Sequence, residues 1–257
     1  MNRFSAIQNI RLRLSSGGVS VGSWMQIPHA SVAEIMGRAG YDWVAVDMEH
    51  GTISPHQLPD MFRALELGGT LPLLRLAQGH PKDCKQALDA GAGGVIVPMV
   101  ESAEQLRAVR DTCCWPPTGS RGVGFSRANL FGGDFDAYML EARAPMLVAM
   151  IENARAVERL DEILKVEGLD AILVGPYDLS ASMGLTGMFD YDEFKTTMQQ
   201  IRDLAKGAGV PAGVHVVKPA ESELSERISE GYRFLAYSID AVMLRIGAEC
   251  PSDGRMA

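Results

Sequence analysis

Eight short apolar runs, rich in β-branched residues, recur along the chain at 18–25, 43–48, 71–76, 93–100, 145–152, 169–176, 211–217 and 233–239. Between them the hydrophobic positions change to helical spacing. Val32, Ile35, Met36 and Ala39 share one face over 31–39, Leu58, Met61, Phe62 and Leu65 over 57–67, and Val157, Leu160, Ile163 and Leu164 over 154–165. Gly40, Gly68, Gly91, Gly168, Gly209 and Gly231 stand where these helices would end, before the next apolar run. Strands that are apolar throughout, rather than alternating, belong to a parallel sheet covered on both faces. Eight strand–helix units in one chain give an α/β (β/α)8 TIM barrel, with a doubly wound open sheet as the alternative. Residues 4–14 read as an extra N-terminal helix. No linker or compositional break divides residues 1–257, so a single domain is expected.

Composition narrows the partners. A net charge of −8 argues against nucleic acid or an anionic membrane as partner, since both require a positive surface. Cys84, Cys113, Cys114 and Cys250 form no CxxC pair or disulfide framework, and no signal-type or membrane-length apolar run is present. A cytoplasmic protein with reduced thiols is the expectation. The glycines of "DAGAGGVIVP" precede a strand, whereas phosphate-binding glycines follow a strand and open a helix, so they read as a helix cap and turn.

In such a barrel, chemistry gathers where the strands end. Trp24 ends the first run, Asp47, Glu49 and His50 close the second, Arg75 the third and Glu152 the fifth, while Asp178 follows the sixth. Carboxylates closing adjacent strands repel each other unless a cation lies between them. With no cysteine or histidine alongside, hard oxygen ligands suit magnesium or manganese, and two ligands leave an open coordination shell. Each residue also has a structural reading: Glu152 as a helix-start carboxylate, Asp178 as an N-cap, Arg75 in a buried ion pair, His50 as a loop histidine. Lys218, after the seventh run, would be the alternative centre as an imine-forming lysine, although Pro219 beside it points to an ordinary turn.

The fragments "VDMEHG", "LLRL", "GAGGVIVPMV", "SRGVG", "MIEN" and "VGPYDLSASMG", in this order along most of the chain, resemble the HpcH/HpaI aldolase family. These are class II pyruvate aldolases such as 4-hydroxy-2-oxoheptanedioate and 2-keto-3-deoxy-rhamnonate aldolases. The resemblance implies a TIM barrel that cleaves a 4-hydroxy-2-oxo acid reversibly to pyruvate and an aldehyde, with the pyruvate enolate stabilised by a divalent ion (Mg2+, Mn2+ or Co2+). It implies Glu152 and Asp178 as metal ligands, Arg75 as the pyruvate-binding arginine, and His50 held by Asp47 as the proton-transfer pair. Gly175, Pro176 and Tyr177 match the turn whose backbone N–H groups receive the pyruvate carboxylate, and Trp24 falls among the substrate-binding positions. It further implies a homo-oligomer, a hexamer or trimer of dimers, with the last barrel helix exchanged between subunits. The cationic loop "SRGVGFSR" at 120–127 is expected to shape the aldehyde side. Met150 stands where some members have glutamine, which removes a polar group beside the metal. Citrate lyase β and malyl-CoA lyase proteins, which cleave CoA thioesters on a related barrel, are the alternative enzyme class, and a non-catalytic metabolite-binding barrel is a third.

Overall fold

A computed structural model describes residues 1–250. Its eight strands are β1 (Ser20–Met25), β2 (Trp43–Asp47), β3 (Leu71–Arg75), β4 (Gly94–Val97), β5 (Met146–Ile151), β6 (Ala171–Val174), β7 (Ala212–Val216) and β8 (Phe234–Ile239), and they close into a barrel in chain order. Every neighbouring pair is parallel. The predicted TIM barrel is therefore what forms, because each apolar strand is covered on both faces.

Helix α1 (Arg3–Ser15) precedes the barrel. It drives Ile7, Ile10 and Leu14 into the barrel's interior cluster beside Trp43, Leu71 and Met146 at the strand starts. The helices that follow are α2 (Ala30–Gly37), α3 (Leu58–Gly68), α4 (Pro81–Asp89), α5 (Ala103–Cys113), α6 (Phe135–Arg143), α7 (Ala154–Glu158), α8 (Leu160–Ile163), α9 (Pro176–Ser182), α10 (Asp192–Ala208), α11 (Glu221–Ser229) and α12 (Asp240–Gly247). Most of their apolar faces meet the outward strand residues in one layer, while α6 packs Tyr138 and Ala142 with Trp115 and Ala128 in a cluster of its own.

Alternate residues of each strand point inward. Trp43 and Ala45 on β2, Leu71 and Leu73 on β3, and Met146, Val148 and Met150 on β5 all join the interior cluster. Gly22 on β1 makes room for this filling, since a Cβ there would lie 2.1 Å from Trp43 Cδ2. The indole it admits stacks on Phe234 at 4.4 Å.

Two expectations need correction. The cap of α3 is Gly69, at φ 95°, and not Gly68. Gly68 serves close packing instead, because a Cβ on it would lie 2.4 Å from the Gly37 carbonyl carbon, and α2 and α3 cross there. The single helix expected over 154–165 is broken at Arg159 (φ −112°, ψ 15°) into α7 and α8.

Candidate active site

The inward alternation of the strands ends in charged groups at one mouth. Asp47 and Arg75 are register partners across β2 and β3, so their side chains lie level. Arg75 donates Nε to Asp47 Oδ1 at 2.9 Å and Nη2 to Oδ2 at 2.6 Å, a two-pronged pair, while its Nη1 lies 2.8 Å from Glu49 Oε2. Its guanidinium carbon lies over the Trp24 ring, 5.2 Å from the centroid.

Burial alone would raise the Asp47 pKa, but hydrogen bonds and charge from Arg75, aided by Gln26 and the His50 N–H, outweigh it and hold the carboxylate at about 2. Against its own burial, Arg75 is raised above its ordinary value by Asp47 and then by the charges of Glu49 and Glu152. This arginine is a fixed cation. Gln26 Nε2 reaches Asp47 Oδ2 at 3.0 Å, and Asp240 holds the loop that delivers it by accepting the Gln26 and Ile27 N–H groups at 2.8 and 2.9 Å.

Glu152, one residue past β5, is 3% exposed. Burial, then the charges of Glu49 and Asp178, push its pKa up to about 7 against the attraction of Arg75. Glu49 is raised as well, by burial and by the charges of Asp47 and Asp178, which outweigh Arg75 and His50. Three carboxylates thus face one mouth and feel one another, with Arg75 as the cation that reaches Glu152. Gly175 gives Glu152 its place: a Cβ on Gly175 would sit 2.9 Å from Glu152 Cγ and 3.1 Å from its Oε1. Met99, in the left-handed region at φ 49°, turns its N–H toward Glu152 Oε2 at 3.4 Å.

Several expected contacts take another form. The His50 imidazole is exposed and does not pair with Asp47; only its backbone N–H does, at 3.2 Å, alongside that of Glu49 at 3.0 Å. Both Asp47 oxygens are occupied, so Asp47 orients Arg75 rather than the imidazole. Trp24 is buried and supports Arg75 from within the barrel instead of lining an open surface. In the turn after β6, Pro176 has no N–H and that of Gly175 is taken by Ile151 O at 3.3 Å, which leaves Tyr177 as the turn's backbone donor. Asp178 is exposed at the rim. Lys218 is exposed too, outside the enclosed region an imine lysine needs.

The loop at 120–127 is not cationic at its surface. Arg121 is buried between Trp115 and Tyr138 and donates to the Tyr138 hydroxyl at 3.1 Å, while Arg127 pairs with Glu66 at 2.7 Å. What the loop exposes is apolar, Val123 and Phe125.

Sequence reasoning gave no role to Glu49, Gln26, Asp240 and His215. His215 points inward on β7, its Nε2 3.0 Å from Ser238 O and its ring 5.1 Å from that of Trp24. Continuing the period of two along "GVHVV" from Gly213 would have marked it.

The carboxylates offer hard oxygen donors, one of them buried and kept from easy ionisation first by that burial and then by like charges, the other at the rim. Among the described residues no group of three or more His, Cys, Asp or Glu side chains is arranged to hold a metal ion, so an ion here would rest on at most two of these carboxylates. An ion held here would keep open positions.

The HpcH/HpaI aldolase/citrate lyase family profile matches residues 20–246. A 4-hydroxy-2-oxovalerate aldolase of Novosphingobium aromaticivorans is 37% identical over 94% of this chain and 92% of its own. A hydroxypyruvate/pyruvate aldolase of Roseobacter denitrificans is 34% identical over 93% of each. Among solved structures, an HpcH/HpaI aldolase/citrate lyase family protein from Burkholderia cenocepacia superposes with a TM-score of 0.87 at 30% identity, covering 93% of this chain and 95% of that one.

Proposed function

The chain belongs to the HpcH/HpaI aldolase/citrate lyase family, and on that premise we propose a divalent-metal-dependent class II aldolase that cleaves 4-hydroxy-2-oxo acids to pyruvate and an aldehyde, and joins them in reverse. The observation that carries this reading is that one mouth holds both a clamped cation, Arg75 on Asp47, and a carboxylate, Glu152, raised first by burial and then by the charges of Glu49 and Asp178. An anionic 2-oxo acid needs the first, and a divalent ion needs the second.

Glu152 and Asp178 would hold the ion, Mg2+, Mn2+ or Co2+, by carboxylate oxygens. When bound, it supplies Lewis-acid polarisation of the 2-oxo group. Arg75 then has a role of its own. Its Nε–H and one Nη2–H are committed to Asp47, so the second Nη2–H and the Nη1 hydrogens, the latter beside Glu49, are the donors available to the oxo acid. Because the guanidinium is already oriented, stabilising negative charge that develops on the oxo acid costs little reorganisation. The Tyr177 N–H lies in the turn where the substrate carboxylate would dock. His50 stands at the rim with its imidazole free, suited to take the proton of the 4-hydroxyl as the C3–C4 bond breaks and to return it in synthesis. The loop at 120–127 is held at the strand-start end, with Arg127 on Glu66 and on the Ala90 carbonyl at the ends of α3 and α4, so within one subunit it does not reach the aldehyde side.

The same reading includes a homo-oligomer, a hexamer or trimer of dimers. Helix α12 makes its main contacts with β1 and β8, buries only Asp240, and leaves Leu244 and Ile246 exposed, as a helix completed by a second subunit would. With a net charge of −8 and no helix among the described residues long and apolar enough to cross a membrane, small molecules are its substrates and the cytoplasm its proposed compartment.

The test is pyruvate release from a panel of 4-hydroxy-2-oxo acids, with a malyl thioester of CoA alongside. Activity on the free acids that disappears with EDTA and returns with Mg2+, Mn2+ or Co2+ supports the proposal. Turnover of the thioester alone would replace it with the CoA-lyase reading, and inactivation by borohydride plus pyruvate would replace the metal with an imine.

A further inference from the structure

One side of the site is built around a β-bulge. The register of β1 on β8 runs Ser20 to Phe234, Val21 to Leu235 and Gly22 to Ala236, then slips by one residue so that Trp24 meets Ile239. The residue absorbing the slip is Ser238, fully buried and at φ 56°, a left-handed conformation unfavourable for serine. Side-chain hydrogen bonds fix this corner. Ser23 Oγ donates to Tyr237 O at 2.8 Å, Ser238 Oγ to Val217 O at 3.0 Å, and His215 Nε2 lies 3.0 Å from Ser238 O.

A carbonyl can only accept, so Nε2 carries the proton and the His215 tautomer and ring plane are both set. The ring lies 5.1 Å from Trp24, tilted by 34°. Trp24 in turn supports Arg75 at 5.2 Å. Burial and the charge of Arg75 hold His215 down to about 4, so the imidazole is neutral and does not repel the guanidinium.

The remaining contacts of Arg75 do not replace this support. Asp47 and Glu49 engage the edges of its guanidinium, and Met150 Sδ lies at 4.0 Å from Nη1. The carboxylates hold the N–H groups of the guanidinium, and the indole meets its central carbon from the barrel side, at 5.2 Å from the ring centroid.

We propose that His215 is a positioning residue for Arg75, anchored by the Ser238 bulge and acting through Trp24 to set the tilt at which the guanidinium meets the 2-oxo acid. This rests on the aldolase reading for its consequence in catalysis, but the positioning itself is a property of the fold.

The experiment compares His215→Leu, which removes ring and donor, with His215→Phe, which keeps a ring against Trp24. The Leu variant should bind pyruvate, read as a product-inhibition constant, about tenfold more weakly, the scale of a lost cation–π geometry. Its kcat should change less than that, and Phe should recover most of the loss. In an Arg75→Lys background the Leu substitution should add little, because its route runs through the guanidinium. The side-chain Nε–H resonance of Arg75 in a 15N-labelled protein, identified by its absence in Arg75→Lys, should shift in the Leu variant. An unchanged resonance, unchanged pyruvate affinity, or additive effects with Arg75→Lys would each overturn the proposal. If the Leu variant does not fold, the Phe variant must keep both resonance and affinity near wild type, and loss of either refutes the ring-to-ring route. Absence of turnover in the wild-type protein would sink the aldolase reading instead, and the resonance would still decide the positioning.

Discussion

Glu152→Gln should make the metal-free protein more stable, and only at high pH. The folded carboxyl titrates at about 7, while in the unfolded chain it returns to about its ordinary 4.5. From pH 4.5 to about 7 the folded protein therefore keeps a proton that the unfolded chain has released, and its stability falls as pH rises. Above about 7 the full cost is present. At about 1.36 kcal/mol per pH unit between the two values, ionised Glu152 costs the folded state about 3 kcal/mol at pH 8 and less than about 1 kcal/mol at pH 5. Glutamine keeps the shape and an acceptor for the Met99 N–H but removes the charge that burial, and then Glu49 and Asp178, oppose.

The assay is thermal unfolding after chelator treatment, at both pH values. A gain of about 3 kcal/mol in a chain of this size corresponds to roughly 6–10 °C in Tm. Excess Mg2+ at pH 8 should raise the wild type and leave Glu152→Gln almost unmoved, closing the gap. Equal effects at pH 5 and pH 8, or a loss at pH 8, would show that the site does not concentrate negative charge, and the argument for a cation there would fail.

Other substitutions separate the parts of the site. Gly175→Ala adds no backbone strain at φ −96°, but its Cβ pushes on Glu152, so Mg2+ affinity by calorimetry should fall about 10–100-fold with little change in Tm. Asp47→Asn breaks a buried ion pair and should cost about 3–5 kcal/mol in denaturant unfolding. Because Asp47 is depressed to about 2, its stabilisation is complete above pH 4 and lost as pH falls toward 2, and the variant should lack that acid-dependent loss. His50→Ala should lower kcat for cleavage about 10²–10⁴-fold with a nearly unchanged pyruvate inhibition constant, whereas oxaloacetate decarboxylation, which needs no 4-hydroxyl deprotonation, should survive better. Equal losses in the two reactions would move His50 to the metal or pyruvate half.

Strand ends were readable from sequence because a parallel barrel is apolar everywhere except at its mouth. A charged residue closing an apolar run, such as Asp47 in "WVAVD" or Arg75 in "LPLLR", marks that mouth, whether it serves a ligand or a buried ion pair there. The pairing between such residues was not readable. Asp47 belongs to Arg75 rather than to His50 because the β2–β3 register sets them side by side, and register is a tertiary fact. The arginines of the 120–127 loop misled for a related reason. Their partners, Tyr138 and Glu66, come from helices on either side in the sequence, and a local view of the loop shows only uncompensated charge.

Backbone strain was the least legible feature, and its location carries meaning. Met99 and Ser238 are non-glycine residues at positive φ, one just after β4 and the other near the end of β8. Neither "VPMV" nor "AYSI" contains a glycine or asparagine to announce a left-handed turn. Such a conformation costs of order 1–3 kcal/mol and persists only where its surroundings overdetermine it. At Met99 it aims an N–H at Glu152, and at Ser238 it aims a carbonyl at His215. These two turn a backbone dipole toward a side chain of the mouth, one toward the proposed metal ligand and the other toward the support of the substrate cation, whereas the other two such residues, Leu130 and Phe131, lie in the 127–132 turn. Glycine at either position would relieve the strain but would let the dipole wander. The rigid barrel below supplies the stability against which these two distortions are held, so the mouth can be shaped for its ligands while the strands beneath it stay regular.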